Sequence, residues 1–199
     1  MFTIIDFFDL SRTLIGAKID LKEHMRMRKL FDMDIKDYNP NGKSFVRPSV
    51  RGIVLKGSRI ALVYSQKYDY YKFPGGGIED NENQIETLVR EVCEESGLIV
   101  LKDSIKEYGY VRRMQKSNRS KEYEIFIQDN YYYFCDVEDK MVAQKLDYYE
   151  KEEGFTLKWV YPSDAIYVNR NHNHGPKDEL MIQREAKVLE LLIKEDCFK

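Results

Sequence analysis

Apolar positions along the chain fall into two rhythms. In "SVRGIVLKGSRIALVYS", residues 49–65, β-branched and aliphatic residues flank Lys56-Gly57-Ser58, which predicts a β-hairpin. "IKEYGYVRRM" and "EYEIFIQDNYYYFCDV", separated by the polar, basic "QKSNRSK", have strand composition, as does "GFTLKWVYP" further on. The second rhythm is helical. At about 100° per residue, Ile85, Leu88, Val89 and Val92 form one stripe, and Gly97 stands where a left-handed helix cap belongs, with Leu98 behind it. "PKDELMIQREAKVLELLIKE" predicts an amphipathic C-terminal helix, with Pro176 near its start and Leu180, Leu189, Leu192 and Ile193 among its apolar positions. Strands interleaved with two or three helices point to an α/β fold, a mixed sheet with helices on its faces.

Residues 1–43 keep neither rhythm for long. "FTIIDFF" has strand character, "LKEHMRMRKLF" places Leu21, Met25 and Leu30 roughly on one helical side, and "YNPNG" is turn chemistry that closes the segment. The expected organisation is an N-terminal extension over 1–43, serving as a lid or as a dimerisation element, ahead of one domain spanning 44–199.

Composition narrows the partners. The 199 residues are 43% hydrophobic, enough for a core, and carry a formal charge of -2. With a pI near 6.0 there is no global basic field for a nucleic-acid backbone. The apolar N-terminus is interrupted by Asp6, Asp9 and Arg12, and nowhere are there about 18 uninterrupted apolar residues, so no membrane span is expected. Cys93, Cys135 and Cys197 are scattered and form no C-x-x-C pair, which fits a reducing cytoplasm.

The helix after "FPGGG" contains an oddity. Glu91, Glu94 and Glu95 gather on the flank of the apolar stripe, roughly 70° to 170° from its centre. There they oppose the helix dipole and repel one another by about 0.2–0.5 kcal/mol per pair. A hard divalent cation that prefers oxygen ligands, Mg²⁺ or Mn²⁺, offsets that repulsion. Gly75, Gly76 and Gly77 let the backbone approach closely, offering carbonyls to a metal and N–H groups to phosphate.

Gly76, Glu82, Arg90, Glu91, Val92, Glu94, Glu95, Gly97 and Leu98 fit every position of G-x5-E-x7-R-E-U-x-E-E-x-G-U, where U is a bulky aliphatic residue. The segment resembles the Nudix box, and at ordinary residue frequencies a chance match has a probability below roughly 10⁻⁶. The resemblance implies a Nudix-type α/β/α sandwich with a mixed β-sheet, and a hydrolase that cleaves a diphosphate bond in a nucleotide substrate. It implies that Glu94 and Glu95 bind metal, that Glu91 is a ligand or orients water, and that Gly75 or Gly76 lends a carbonyl. Arg90 and Glu82 become supporting residues that tie loop to helix.

Further site residues are expected outside the box. Many Nudix enzymes draw another acid from the loop before a late strand, and Glu153 is preferred to Glu150 and Glu152 because Gly154 lets the chain bend immediately after it. Alternation along a strand turns one of Arg112 and Arg113 toward the substrate and the other away. Gly77 and Tyr71 are expected to contact substrate; Tyr64, Tyr68, Tyr70 and Tyr71 flank the glycine loop where a base can stack, although tyrosines in and beside strands more often pack. His172 and His174 are read as a surface loop without a third ligand. Nothing marks Cys93 as reactive. "IALVYSQKYDYYKF" lacks the signature of coenzyme A hydrolases, and "MQK" replaces the residues that mark ADP-ribose and dinucleoside polyphosphate hydrolases. Nucleoside triphosphates, oxidised ones included, and sugar nucleotides remain. The alternative is a Nudix-fold module that senses a nucleotide without turning it over.

Overall fold

The computed structural model describes residues 27–119 and 121–198. Eleven strands and four α-helices are present among them. The first sheet is mixed: β1 (Lys29–Asp34), β8 (Lys106–Lys116), β9 (Ile125–Phe134) and β2 (Ser44–Val46) lie in that order, with β3 (Ser49–Ile53) also on β9. β8 and β9 are antiparallel, whereas β1 on β8 and both β2 and β3 on β9 are parallel.

The second sheet is antiparallel and is built on β5 (Arg59–Ser65), which pairs with β4 (Leu55–Lys56), β6 (Tyr70–Lys72) and β11 (Phe155–Val160). β7 (Leu98–Val100) and β10 (Val137–Met141) form a small third ribbon. The expected hairpin is the β4–β5 turn, with Gly57 at φ 58°.

Helices cover both faces. α1 (Gln84–Ser96) packs Leu88 and Val92 on Val50, Val54, Tyr133 and Cys135. α4 (Glu179–Lys194) packs Val188, Leu189 and Leu192 on Ile53, Phe73 and Tyr132. Period-two alternation makes this division: along β3, Val50 and Gly52 meet α1, whereas Ile53 joins the α4 side. α3 (Pro162–Asn171) lies beside α4, and the short α2 (Tyr148–Glu153) leads into β11.

Local signals set the ends of α1. Asn83 accepts from the N–H groups of Ile85 and Glu86, the Glu86 carboxylate accepts from the Asn83 N–H, and Gly97 closes the helix at φ 75°.

Residues 29–34 correct one expectation. Instead of continuing a helix with Leu21 and Met25, Leu30 lies in β1, an edge strand whose Leu30, Phe31 and Met33 pack on the α4-side core. Tertiary packing overrides the weak helical spacing there, and part of the expected extension belongs to the sheet. "FTIIDFF" lies outside the described residues.

Candidate active site

The glycine loop joins β6 to α1 and is pinned to β3. The Val50 N–H donates to the Gly76 carbonyl at 2.9 Å, and the Gly52 N–H to the Pro74 carbonyl at 2.8 Å. Gly75 has φ 142°, and a Cβ there would stand 2.2 Å from the Val50 carbonyl oxygen, so only glycine fits. A Cβ on Gly76 would stand 2.3 Å from the Glu91 carboxylate. Loop backbone and α1 carboxylates therefore meet directly.

Two cations hold the box glutamates. The Arg90 guanidinium donates to Glu82 at 2.7 and 2.8 Å, to Glu91 at 2.8 Å and to Glu94 at 3.1 Å. Arg90 holds the Glu82 carboxyl down at about 2, and its own pKa is raised by these bonds, that to Glu82 first. Burial pushes the Glu91 carboxyl up, against the pull of Arg90, Lys72 and Arg51. Glu95 is buried; its Oε2 accepts the Gly75 N–H at 2.8 Å, and its Oε1 accepts from the Lys72 ammonium. Burial pushes its carboxyl up to about 7, with Lys72 opposing and the Glu150 charge adding a little.

Glu91, Glu94 and Glu95 share a cleft of about 370 Å³ with Gly76, Gly77 and Glu150. Glu150, and not the expected Glu153, lines this cleft. Its carboxylate accepts from the Asp147 N–H at 2.8 Å and the Tyr149 hydroxyl at 2.9 Å, which aims it along the cleft side of α2. Glu153, the last residue of α2, is buried elsewhere: it accepts from Tyr70 at 2.8 Å, Ser65 at 3.2 Å and Lys177 at 2.5 Å. Gly154, at φ 66°, does bend the chain there, but Glu153 is bonded to Ser65 of β5 and Tyr70 of β6 and does not line the cleft.

The arginine pair divides as alternation requires. Arg113 is buried on the α4 side of β8, bonded to Asp178 and Gln115. Arg112 faces the other way in a bidentate pair with Asp129 at 2.7 Å. Tyr71 is not at the cleft: its ring lies 4.8 Å from that of Tyr64, and its backbone is bonded to Asn169 of α3. His174 is buried with its ring nitrogens near the Tyr68 and Asn169 carbonyls, and His172 pairs with Asp69, so the two are structural. Cys93 is a half-buried free thiol.

Two residues beside the glutamates carried no motif signal. Lys72 was hidden in a tyrosine-rich strand. Arg47 lines the cleft, lies next to Gly77, and has no hydrogen-bond or ion-pair partner for its guanidinium among the described residues. A larger cavity, about 730 Å³, lies at the opposite end of α1 around Ile85, Ile105 and Tyr131 and contains none of the catalytic-type carboxylates.

The donors suit a hard divalent cation, being carboxylate and glycine carbonyl oxygens. A cation already sits among them, since the Lys72 ammonium is held by Glu95 and by the Gly75 carbonyl at 3.3 Å. As the side chains lie, no three acidic or imidazole groups among the described residues are close enough to hold an ion unaided, and Glu91 and Glu94 are both engaged by Arg90 Nη1.

An α/β architecture with helices on both faces and an acidic helix facing a glycine loop defines the class, and the family model described as NUDIX domain matches residues 46–184. The chain belongs to the Nudix family and is a Nudix hydrolase, an enzyme acting on phosphorus-containing acid anhydrides. It is 28% identical over 124 residues to the 8-oxo-dGTP diphosphatase of Buchnera aphidicola subsp. Schizaphis graminum (strain Sg), covering 60% of this chain and 81% of that protein. A NUDIX hydrolase from Nitrosomonas europaea superimposes with a TM-score of 0.53 at 18% identity, over 75% of this chain and 91% of the other, and so shares the fold. No helix among the described residues is long and apolar enough to cross a membrane.

Proposed function

We propose that this chain is a Mg²⁺-dependent pyrophosphohydrolase, with Mn²⁺ as a substitute, that cleaves a diphosphate bond in a nucleoside triphosphate or a nucleoside diphosphate derivative. The observation that carries the proposal is the single cleft shared by Glu91, Glu94, Glu95, Glu150 and the glycine loop. The activity named for the Buchnera relative puts oxidised deoxynucleoside triphosphates first among the substrates to test.

In this reading Glu94 and Glu95 hold the cation together with Glu91 and the carbonyl of Gly75 or Gly76. A bound divalent cation neutralises the diphosphate oxygens and stabilises the departing phosphate. Glu91 and Glu94 must leave Arg90 to engage it, while the Arg90–Glu82 bonds keep the loop in place. Glu150, in the same cleft, orients the attacking water or takes its proton. The free Arg47 guanidinium and the Gly77 backbone meet phosphate oxygens. The test is phosphate or diphosphate release from a panel that includes 8-oxo-dGTP, dGTP and sugar nucleotides, with Mg²⁺ and with chelator. Binding of a nucleotide without release in Mg²⁺ would favour the sensor alternative.

A further inference from the structure

Next to the carboxylate cleft, between β8, β9 and the start of α4, lies a cavity of about 310 Å³ of the opposite character. Arg47, Arg51, Arg113, Lys177 and Arg184 line it, and Asp178 is the acid in that lining. Its volume is at the lower end of small-molecule pockets, about 300–1,000 Å³, but those are mostly apolar and this one is not.

The buried charges do not balance. Arg113 spends Nη1 on Asp178 at 2.5 Å, and Lys177 is bonded to Glu153. Arg184, 1% exposed, takes the Glu185 carboxylate through Nε at 3.2 Å and Asn130 through Nη1 at 2.6 Å. Arg51 donates from Nη1 to the Val50 carbonyl at 2.8 Å, and its counter-ion is the same Glu185, 3.9 Å from its Nε. That Nε makes no hydrogen bond although Arg51 is only 7% exposed. One buried carboxylate thus serves two guanidiniums that do not deprotonate, and Arg47 at the mouth has no partner among the described residues. Positive charge held out of water with an unmet donor is costly unless an anion completes it.

The cavity is also in reach of the chemistry. Arg47 lines both this cavity and the carboxylate cleft. A ligand whose diphosphate lies on the glutamates extends past Arg47 into the arginines.

We propose that this arginine cavity is an anion subsite that takes a phosphate group of the substrate beyond the scissile diphosphate. It rests on the pyrophosphohydrolase reading for its place in the reaction, but not for its ability to bind phosphate. Guanidiniums match a phosphate's oxygens in pairs, so the subsite selects substrates bearing one more phosphate than the reaction needs. That phosphate is either carried on the nucleoside or forms the end of a longer tail.

Two measurements test it. The first uses inorganic phosphate in chelator, with sodium chloride matching the ionic strength, and follows thermal melting. A saturable rise in Tm is expected in the wild type and should be lost in Arg47→Gln and in Arg113→Gln, each judged by its response rather than its starting Tm. The second compares kcat/KM in Mg²⁺ for NADP⁺ against NAD⁺, the phosphate on the nucleoside, and for dGTP against dGDP, the tail. At least about tenfold preference is expected for the richer member of one pair, with Arg47→Gln reducing it through KM. A wild type that phosphate does not stabilise more than chloride overturns the subsite, whatever turns over. Saturable phosphate binding that the arginine variants lose, with no turnover of any diphosphate, supports the subsite and counts against the pyrophosphohydrolase reading instead.

Discussion

The Lys72 ammonium donates to the Glu95 carboxylate with both side chains nearly out of solvent, at 10% and 2% exposure. The same ammonium reaches the Gly75 carbonyl, whose own N–H donates to the other Glu95 oxygen. Strand, glycine loop and catalytic-type helix are therefore joined through one carboxylate, and the pair distinguishes Glu95 from its neighbours on α1.

Glu94 and Glu95 should consequently respond differently to neutralisation. Glu94→Gln removes a half-buried partner of Arg90, which keeps its bonds to Glu82 and Glu91, so stability should stay within about 0.5 kcal/mol while turnover falls by at least about 10²-fold. Glu95→Gln strands a buried ammonium and should cost about 3–5 kcal/mol, part of which Lys72→Met added to it recovers. Urea unfolding of the three variants beside their turnover decides the matter. Equal stability of Glu94→Gln and Glu95→Gln would show that the Lys72 pair contributes nothing.

Turnover should vanish in excess chelator and return with Mg²⁺ or Mn²⁺, because uncompensated carboxylates repel an anionic diphosphate. Steady-state rates across a metal titration measure this. Undiminished hydrolysis in chelator would remove the metal from the mechanism.

On α2 the two acids should separate by kind. Glu150→Gln should lower turnover by more than about tenfold with the fold intact, because the glutamine carbonyl can still accept from the Asp147 N–H while its amide donates to the Tyr149 hydroxyl oxygen. Glu153→Gln should instead cost about 1–3 kcal/mol by weakening its bonds to Tyr70 and Lys177, with the folded fraction still active. The reverse pattern would return the catalytic assignment to Glu153.

The Arg90–Glu82 pair should be visible in acid. Arg90 lowers the folded Glu82 carboxyl from 4.5 to about 2, so its stabilisation is present above about pH 4.5 and is lost as the pH falls toward 2. The stability gap between wild type and Glu82→Gln should accordingly be flat above about pH 5 and close in acid. A gap that persists unchanged to pH 2 would mean that the pair acts through packing and not through charge.

How much could be read without coordinates follows from the range of each interaction. The helix Gln84–Ser96, its stop at Gly97 and the shared flank of Glu91, Glu94 and Glu95 depend on spacings of three and four residues within one element. The hairpin around Gly57 and the opposite facing of Arg112 and Arg113 are equally local, since a strand alternates whatever it packs on. The edge strand β1 is less local, because it exists through its partner β8, and its weak helical spacing pointed the other way.

Glu150 and Glu153 stand three residues apart in one acidic run, and no pattern in "YYEKEEG" says which enters the cleft; Ser65, Tyr70 and Lys177, from distant parts of the chain, claim Glu153. Lys72 among tyrosines, Arg51 in a hydrophobic strand and Arg184 in an amphipathic helix carry no motif. The box and its metal-type chemistry were legible because they are written in consecutive turns of one helix. The arginine cavity, the Lys72–Glu95 pair and the choice of Glu150 were not, because each is made by side chains from elements far apart in the chain, which the packing of β3, β6, β8, α2 and α4 brings within hydrogen-bonding distance or onto a common wall.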